Sequence, residues 1–360
     1  MLQSVDKTTH RWVAYSRMSL VKRAFKRVIQ LPGTAALFRP LLRDCGVIFM
    51  LHRFAVPDLG IEGDDAGQLK ACLEGLRRAK REFLSLTDMF ARLREGRPPR
   101  GALAFTIDDG YNEQVAVGGE AFAAFDCPVT VFATSGFLDG QLWFWWDQLE
   151  YIFTNAKARR VRVTLGDRDI TYELADERAR ATALAEFTEA CKKVPDAEKR
   201  RNIDALAAAA EVALPAKAPA KYAPVSWDDA RRAERKGITF GPHTVTHPIL
   251  SQTTDAQSEF EISQSWTRLR GELDKPVPVF CYPNGQATDF GSREISLLER
   301  LGLEGAVVGS NGYARASVFR GSGDARFLVP RFPFPPDFAD LLQYVSGVER
   351  MKQLVRGAAA

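Results

Sequence analysis

Little in this 360-residue chain marks a membrane-spanning, secreted or nucleic-acid-binding protein. No window approaches the roughly 20 apolar residues of a transmembrane helix. The first residues lack a signal-peptide pattern, because Asp6, Lys7 and Arg11 interrupt them and no apolar run follows. The formal net charge is only +4, and no Arg/Lys stripe interleaved with aromatics accompanies a nucleic-acid motif, so nucleic acid is not an expected partner. The five cysteines (Cys45, Cys72, Cys127, Cys191 and Cys281) are odd in number and scattered. They form neither a disulfide framework nor a metal-type pairing, and suit buried positions in a reducing compartment. The expected location is cytoplasmic. Histidine is also scarce, at four residues, yet two of the four fall four apart in Gly241-Pro-His-Thr-Val-Thr-His-Pro248.

What is present is enough apolar sequence (46%) for one large core or two modest ones. Residues 1–44 read as a helical appendage. Ser19 would cap a helix with Leu20, Val21, Ala24, Phe25, Val28 and Ile29 on one face and Lys22, Arg23, Lys26 and Arg27 on the other. Such a helix either packs on the domain or lies on an anionic membrane surface, a peripheral contact at the inner face. From Gly46 to about 336, short apolar runs alternate with helical patterns. The strand candidates are Val47–Leu51, Phe83–Leu86, Ala102–Ile107, Pro128–Ala133, Ile238–Phe240, Val277–Tyr282, Gly305–Val308 and Phe327–Arg331. Helices are expected over Gly67–Arg81, after a Thr87 cap, over Asn112–Phe125, after Ser226, and from a capping box at Thr254 and Gln257 to about Leu273.

Continuous apolar strands separated by helices predict a parallel sheet covered by helices, closed or open, in an α/β protein. About 140–225 breaks the rhythm with an aromatic cluster (Trp143, Phe144, Trp145, Trp146), a hairpin around Gly166-Asp167, and an Ala- and charge-rich helical stretch. It reads as an insertion on the main domain, and 337–360 as a C-terminal helix and tail. No internal repeat is visible.

Chemistry concentrates where strands end. Ala104-Phe-Thr-Ile-Asp-Asp-Gly110 sets Asp108 and Asp109 side by side after an apolar run, with Gly110 for the turn. Two adjacent carboxylates repel unless a cation or a proton separates their roles. His243 and His247 follow another short strand. One carboxylate and two imidazoles form a common donor set for a catalytic divalent metal with open positions, which leaves the second carboxylate free as a base. Taken singly, an Asp pair also suits a turn, and a lone histidine is usually structural. Strand C-terminal ends are where α/β barrels and open α/β sheets keep their sites.

Thr106-Ile-Asp-Asp-Gly110 resembles the first motif, T-F-D-D-G, of the polysaccharide deacetylase family (NodB-homology, carbohydrate esterase family 4). His243-Thr-Val-Thr-His247-Pro248 is similar to its second motif, H-[ST]-x-x-H-P. Phe280-Cys-Tyr-Pro-Asn-Gly285 resembles the third-motif segment F-x-Y-P-x-G of a bacterial branch. That branch also matches at Leu51-His52, Trp145-Trp146-Asp147 and Val329-Pro330-Arg331, so the resemblance runs from about Gly46 to Pro335. It implies a distorted (β/α) barrel of about seven parallel strands and removal of an N-acetyl group from an amino sugar. It assigns Asp109, His243 and His247 to a divalent metal, with zinc expected, and Asp108 to the general base. A backbone N–H near Asn284 would meet the oxyanion, and Tyr282, Pro283, Asn284, Trp146 and Asp147 become substrate-contact candidates.

The sequence departs from the better-known members at two places. No Arg occupies the third motif, and no histidine follows His247 to serve as general acid. Arg331 could orient Asp108, or simply form a surface ion pair. His52 could protonate the leaving amine, or be structural; if neither acts, Asp108 would serve as both base and acid. The expected substrate is an N-acetylated poly- or oligosaccharide or its lipid-linked precursor. A deformylase, a non-carbohydrate amide hydrolase and a non-catalytic saccharide-binding protein are the alternatives.

Overall fold

The computed structural model describes residues 37–165, 168–321 and 323–358. The expected basic helix at 19–29 and the Gly166-Asp167 turn lie outside these residues. Seven strands run parallel: β1 (Cys45–Leu51), β2 (Leu103–Asp109), β3 (Val129–Ala133), β6 (Ile238–Pro242), β7 (Val279–Cys281), β8 (Gly305–Asn311) and β10 (Val329–Pro333). β4 (Arg160–Leu165) and β5 (Arg168–Glu173) form a separate antiparallel hairpin, and β9 (Ala314–Arg315) pairs antiparallel with β1. The parallel order is β6-β3-β2-β1-β10-β8-β7. Its two outer strands face each other, and Val277 N–H donates to Phe240 C=O at 2.7 Å across the seam. The sheet is thus a seven-stranded barrel, nearly closed, with helices between the strands.

Every residue of β1, β2 and β3 is buried, as expected of parallel strands covered on both faces. Period-two alternation divides them cleanly. Ile48, Ala104, Phe132, Val279, Cys281, Val307 and Val329 share one cluster inside the barrel. Val47, Phe49, Leu51, Leu103, Phe105, Ile107, Val131 and Phe240 join the larger cluster that packs beneath helices such as Ala66–Arg78. Each mid-sized apolar side chain removed from water contributes about 1.5–3 kcal/mol. The insertion has its own core, in which Leu149, Phe153, Val161, Tyr172, Phe187, Ile203 and Leu206 join helices Trp145–Asn155, Glu177–Cys191 and Asp196–Ala209 to the hairpin.

Local signals set most helix starts. Ser226 and Thr254 cap their helices by accepting from Asp229 N–H and Gln257 N–H. The cap expected at Thr87 is instead Ser85, whose side chain accepts from Asp88 N–H, so the helix begins at Leu86. Phe83 makes only an isolated bridge to Leu103 rather than a strand. The helix expected over Asn112–Phe125 is a π-helical turn, Gln114–Gly119, followed by a short α-helix, Glu120–Ala123. That wide turn coincides with Gln114 serving the site, as described below. All five cysteines are buried and free. No helix among the described residues is long and apolar enough to cross a membrane.

Candidate active site

The alternation of β2 points Thr106 and Asp108 into the barrel with Ala104, and would send Asp109 outward with Ile107. Asp109 escapes that rule because its φ is +97°. This sparsely populated conformation for a non-glycine residue turns the carboxylate back to the barrel mouth. Gly110 follows at φ +101°, and a Cβ there would lie 2.7 Å from Leu138 Cδ1, so both the turn and the close approach require glycine. Gln114, fully buried, holds the bend: its Oε1 accepts from Gly110 N–H (2.9 Å) and Tyr111 N–H (3.2 Å), and its amide donates to His52 C=O and Asp108 C=O.

The two aspartates have opposite surroundings. Asp108 receives a bidentate pair from Arg331, Nη1 to Oδ1 at 2.7 Å and Nη2 to Oδ2 at 2.8 Å. Arg331 is inside the barrel because it alternates with Val329, and only 1% of it is exposed, so the surface ion pair is ruled out. Its remaining donors reach Thr106 Oγ1 (2.9 Å), Val308 C=O (3.3 Å) and Cys281 Sγ (3.3 Å). Burial by itself would raise the Asp108 carboxyl, but the charge and hydrogen bonds of Arg331 outweigh it and hold the group well below the usual carboxylate range. His52 Nε2 lies 3.9 Å from Asp108 Oδ2, with about half of its side chain (47%) open to solvent.

Asp109 instead faces imidazoles. His247 Nε2 and His243 Nε2 stand 3.6 and 3.8 Å from its Oδ1, and the three ligand atoms lie within 4.8 Å of one another. Among the described residues, no lysine or arginine pairs with Asp109. Burial first, then the Asp108 and Asp147 charges, push its carboxyl well above normal. Burial depresses both histidines, His243 to about 4, so both rings are neutral. His243 Nδ1 sits 2.7 Å from Cys281 C=O. A carbonyl only accepts, so Nδ1 carries the proton and the Nε2 lone pair points toward Asp109. A buried carboxylate lacking a cationic partner, with two neutral, aimed imidazoles, is a donor set that fits a divalent cation.

A wall of aromatics closes one side. Trp146 and Phe144 meet the His247 ring edge-on at 4.8 and 5.6 Å. Trp146 Nε1–H donates to Tyr111 Oη (2.9 Å), and Tyr111 O–H donates to Asp147 Oδ2 (2.7 Å). Two substrate-contact expectations change here. Asp147 is fully buried, with Arg53 and Tyr111 beside it, and is not at the rim. Tyr282 alternates outward with Phe280 and stacks on Phe290 at 3.7 Å, so its ring lies in the outer core. Cys281, between them, takes the inward place. Pro283 and Asn284 follow β7; Asn284 donates to Asp289 Oδ2 (2.8 Å), and a Cβ at Gly285 would meet Gly309 N at 2.6 Å. The motifs did not reveal Gln114, Arg53 or Tyr111. The available signal was a glutamine at the head of the apolar run Val115-Ala-Val117, just after the aspartates.

Comparison with known proteins bears on the family and the fold. Residues 183–306 match the family model for polysaccharide deacetylase, a span that includes His243, His247 and the 280–285 segment. It begins within the insertion and does not reach Asp108 and Asp109. No curated protein sequence matches the chain. Two solved structures share the fold of this chain. Streptococcus pyogenes deacetylase PplD in complex with acetate superposes with a TM-score of 0.54 at 15% identity, covering 84% of this chain and 98% of its own. IcaB from Ammonifex degensii gives 0.52 at 13% identity, covering 84% and 97%.

Proposed function

We propose that this protein is a metal-dependent hydrolase that removes N-acetyl groups from an amino sugar, in a poly- or oligosaccharide or its lipid-linked precursor. The observation that carries this reading is the split between neighbouring carboxylates: Asp108 locked to Arg331, Asp109 facing two neutral histidines. Asp109, His243 and His247 would hold the cation, for which zinc suits a His₂–carboxylate set. When bound, such an ion supplies Lewis-acid activation of water and of the amide carbonyl.

The remaining steps belong to the chain's own groups. Arg331 keeps Asp108 ionised and its two oxygens fixed, so Asp108 can take the proton of the attacking water at a defined position. A carboxylate held so far below its usual range is a poor resting place for a proton and gives it up readily. His52, half-exposed and 3.9 Å away, would carry that proton to the leaving amine nitrogen. Trp146 flanks His247 and walls the acyl side from solvent.

Acetate release from N-acetylglucosamine oligomers, with metal analysis, tests the proposal. Asp108→Asn is expected to keep bound metal and lose about 10²–10⁴-fold in rate. Undiminished release would overturn the base assignment, and formate rather than acetate from formylated sugars would replace the substrate class.

A further inference from the structure

The turn 244–247 that delivers His247 is built from two non-glycine residues in left-handed conformation, Thr244 at φ +67° and His247 at φ +58°. Such residues persist only where neighbours hold them. One side of the turn is held from the start of helix Ser135–Leu138: Ser135 N–H donates to Thr244 C=O and Gly136 N–H to Val245 C=O, both at 3.0 Å. Within the turn, Thr244 Oγ1 accepts from His247 N–H at 3.0 Å.

The other side is held by one carboxylate. Glu261 lies on the buried face of helix Asp255–Glu272, together with Ser258, Ile262 and Ser265, and is only 2% exposed. Among the described residues no lysine or arginine pairs with it. Its Oε2 accepts from both Val245 N–H and Thr246 N–H at 2.8 Å, and its Oε1 accepts from Thr246 O–H at 2.5 Å. Three donors from two consecutive residues converge on a carboxyl that burial would otherwise disfavour. A buried acid here costs stability unless those donors are in place.

We propose that Glu261 is a positioning residue that clamps the 244–247 turn and thereby sets the affinity of Asp109, His243 and His247 for a divalent cation, an inference that rests on the function proposed above. It acts through the backbone and touches neither the cation nor the substrate. Without it, Val245 N–H and Thr246 N–H lose their acceptor, the left-handed pair relaxes, and His247 Nε2 leaves the position from which it converges with Asp109.

Zinc affinity, measured on the full chain by chelator competition, and the visible spectrum of the cobalt-loaded protein provide the test. Glu261→Ala is expected to weaken zinc binding about 10–100-fold and to alter the cobalt spectrum. Glu261→Gln should recover most of the affinity, since its carbonyl can still receive two N–H groups while its amide donates to the Thr246 hydroxyl. A folded Glu261→Ala protein with wild-type affinity and spectrum overturns the clamp, as does Glu261→Gln performing no better than Glu261→Ala. If Glu261→Ala does not fold, Thr246→Val removes one of the three contacts and should weaken binding about threefold; unchanged binding overturns the proposal. Wild-type protein that binds no divalent cation overturns the metal centre itself, an outcome distinct from equal binding by wild type and variant.

Discussion

Two buried arginines of this protein stand beside buried aspartates and hold them in opposite states. Inside the barrel, Arg331 gives both guanidinium edges to Asp108, and the carboxyl stays ionised. At the junction with the insertion, Arg53 is divided. It pairs with Glu113, donates to Lys221 C=O at 2.7 Å, lies 3.8 Å over the Tyr111 ring, and reaches Asp147 Oδ1 only at 4.0 Å. There burial prevails over the Arg53 charge and lifts Asp147 to about 7, while its Oδ1 makes no hydrogen bond. The same residue types therefore give an ionised carboxylate in one place and, in the other, a carboxyl that holds its proton up to near neutral pH. What differs is how many partners the arginine serves.

The contrast breaks first at Arg331. Arg331→Met should strand the Asp108 charge inside the barrel, costing about 3–5 kcal/mol in denaturant unfolding and abolishing measurable hydrolysis. Arg53→Met should cost less, because its partner Glu113 and its neighbour Asp147 are both raised and accept a proton more readily than Asp108 does.

The pH dependence of folding should differ in sign between the two acids. Asp108 is depressed, so its contribution is present above about pH 4, its unfolded range, and is lost as pH falls through its folded value. Asp147 is raised, so its contribution is complete below about pH 4 and is lost as pH rises through about 7. Melting temperatures of Asp147→Asn measured from pH 4 to 7 should decline less than those of wild type. A parallel decline would mean Asp147 is ionised in the folded protein.

Smaller effects are expected further out. Tyr111→Phe removes the hydroxyl between Trp146 and Asp147 and should weaken zinc binding only a few-fold, since Trp146 still meets His247 through its ring. Arg160→Ala, at an exposed cross-strand pair with Glu173 on the insertion hairpin, should shift stability by less than about 1 kcal/mol.

Much of this was readable from sequence because it depended on local chemistry. Continuous apolar runs gave the parallel strands, and caps such as Ser226 and Thr254 set helix starts. Asp108, Asp109, His243 and His247 were recognisable as strand-end donors. Arg331 could be named as an orienter of Asp108, while its burial depended on β10 standing next but one to β2. Alternation along β7 could have placed Tyr282 outside, since Cys281 and Tyr282 cannot both point inward. Asp147, Gln114 and Glu261 were not recoverable in this way. Each is polar within a helical segment, and partners that explain its burial come from other elements: Tyr111 for Asp147, His52 for Gln114, and the 245–246 turn for Glu261.

The seam between β6 and β7 gives the His243 hydrogen bond a second meaning. Cys281 belongs to one bank of that seam and His243 continues the other, so the imidazole is a rivet as well as a proposed ligand. Closing the barrel and aiming the ring are one event. A change that lets the two banks drift would unsettle the tautomer before it unfolded a strand, and replacing His243 would loosen the cylinder as well as remove an imidazole from beside Asp109.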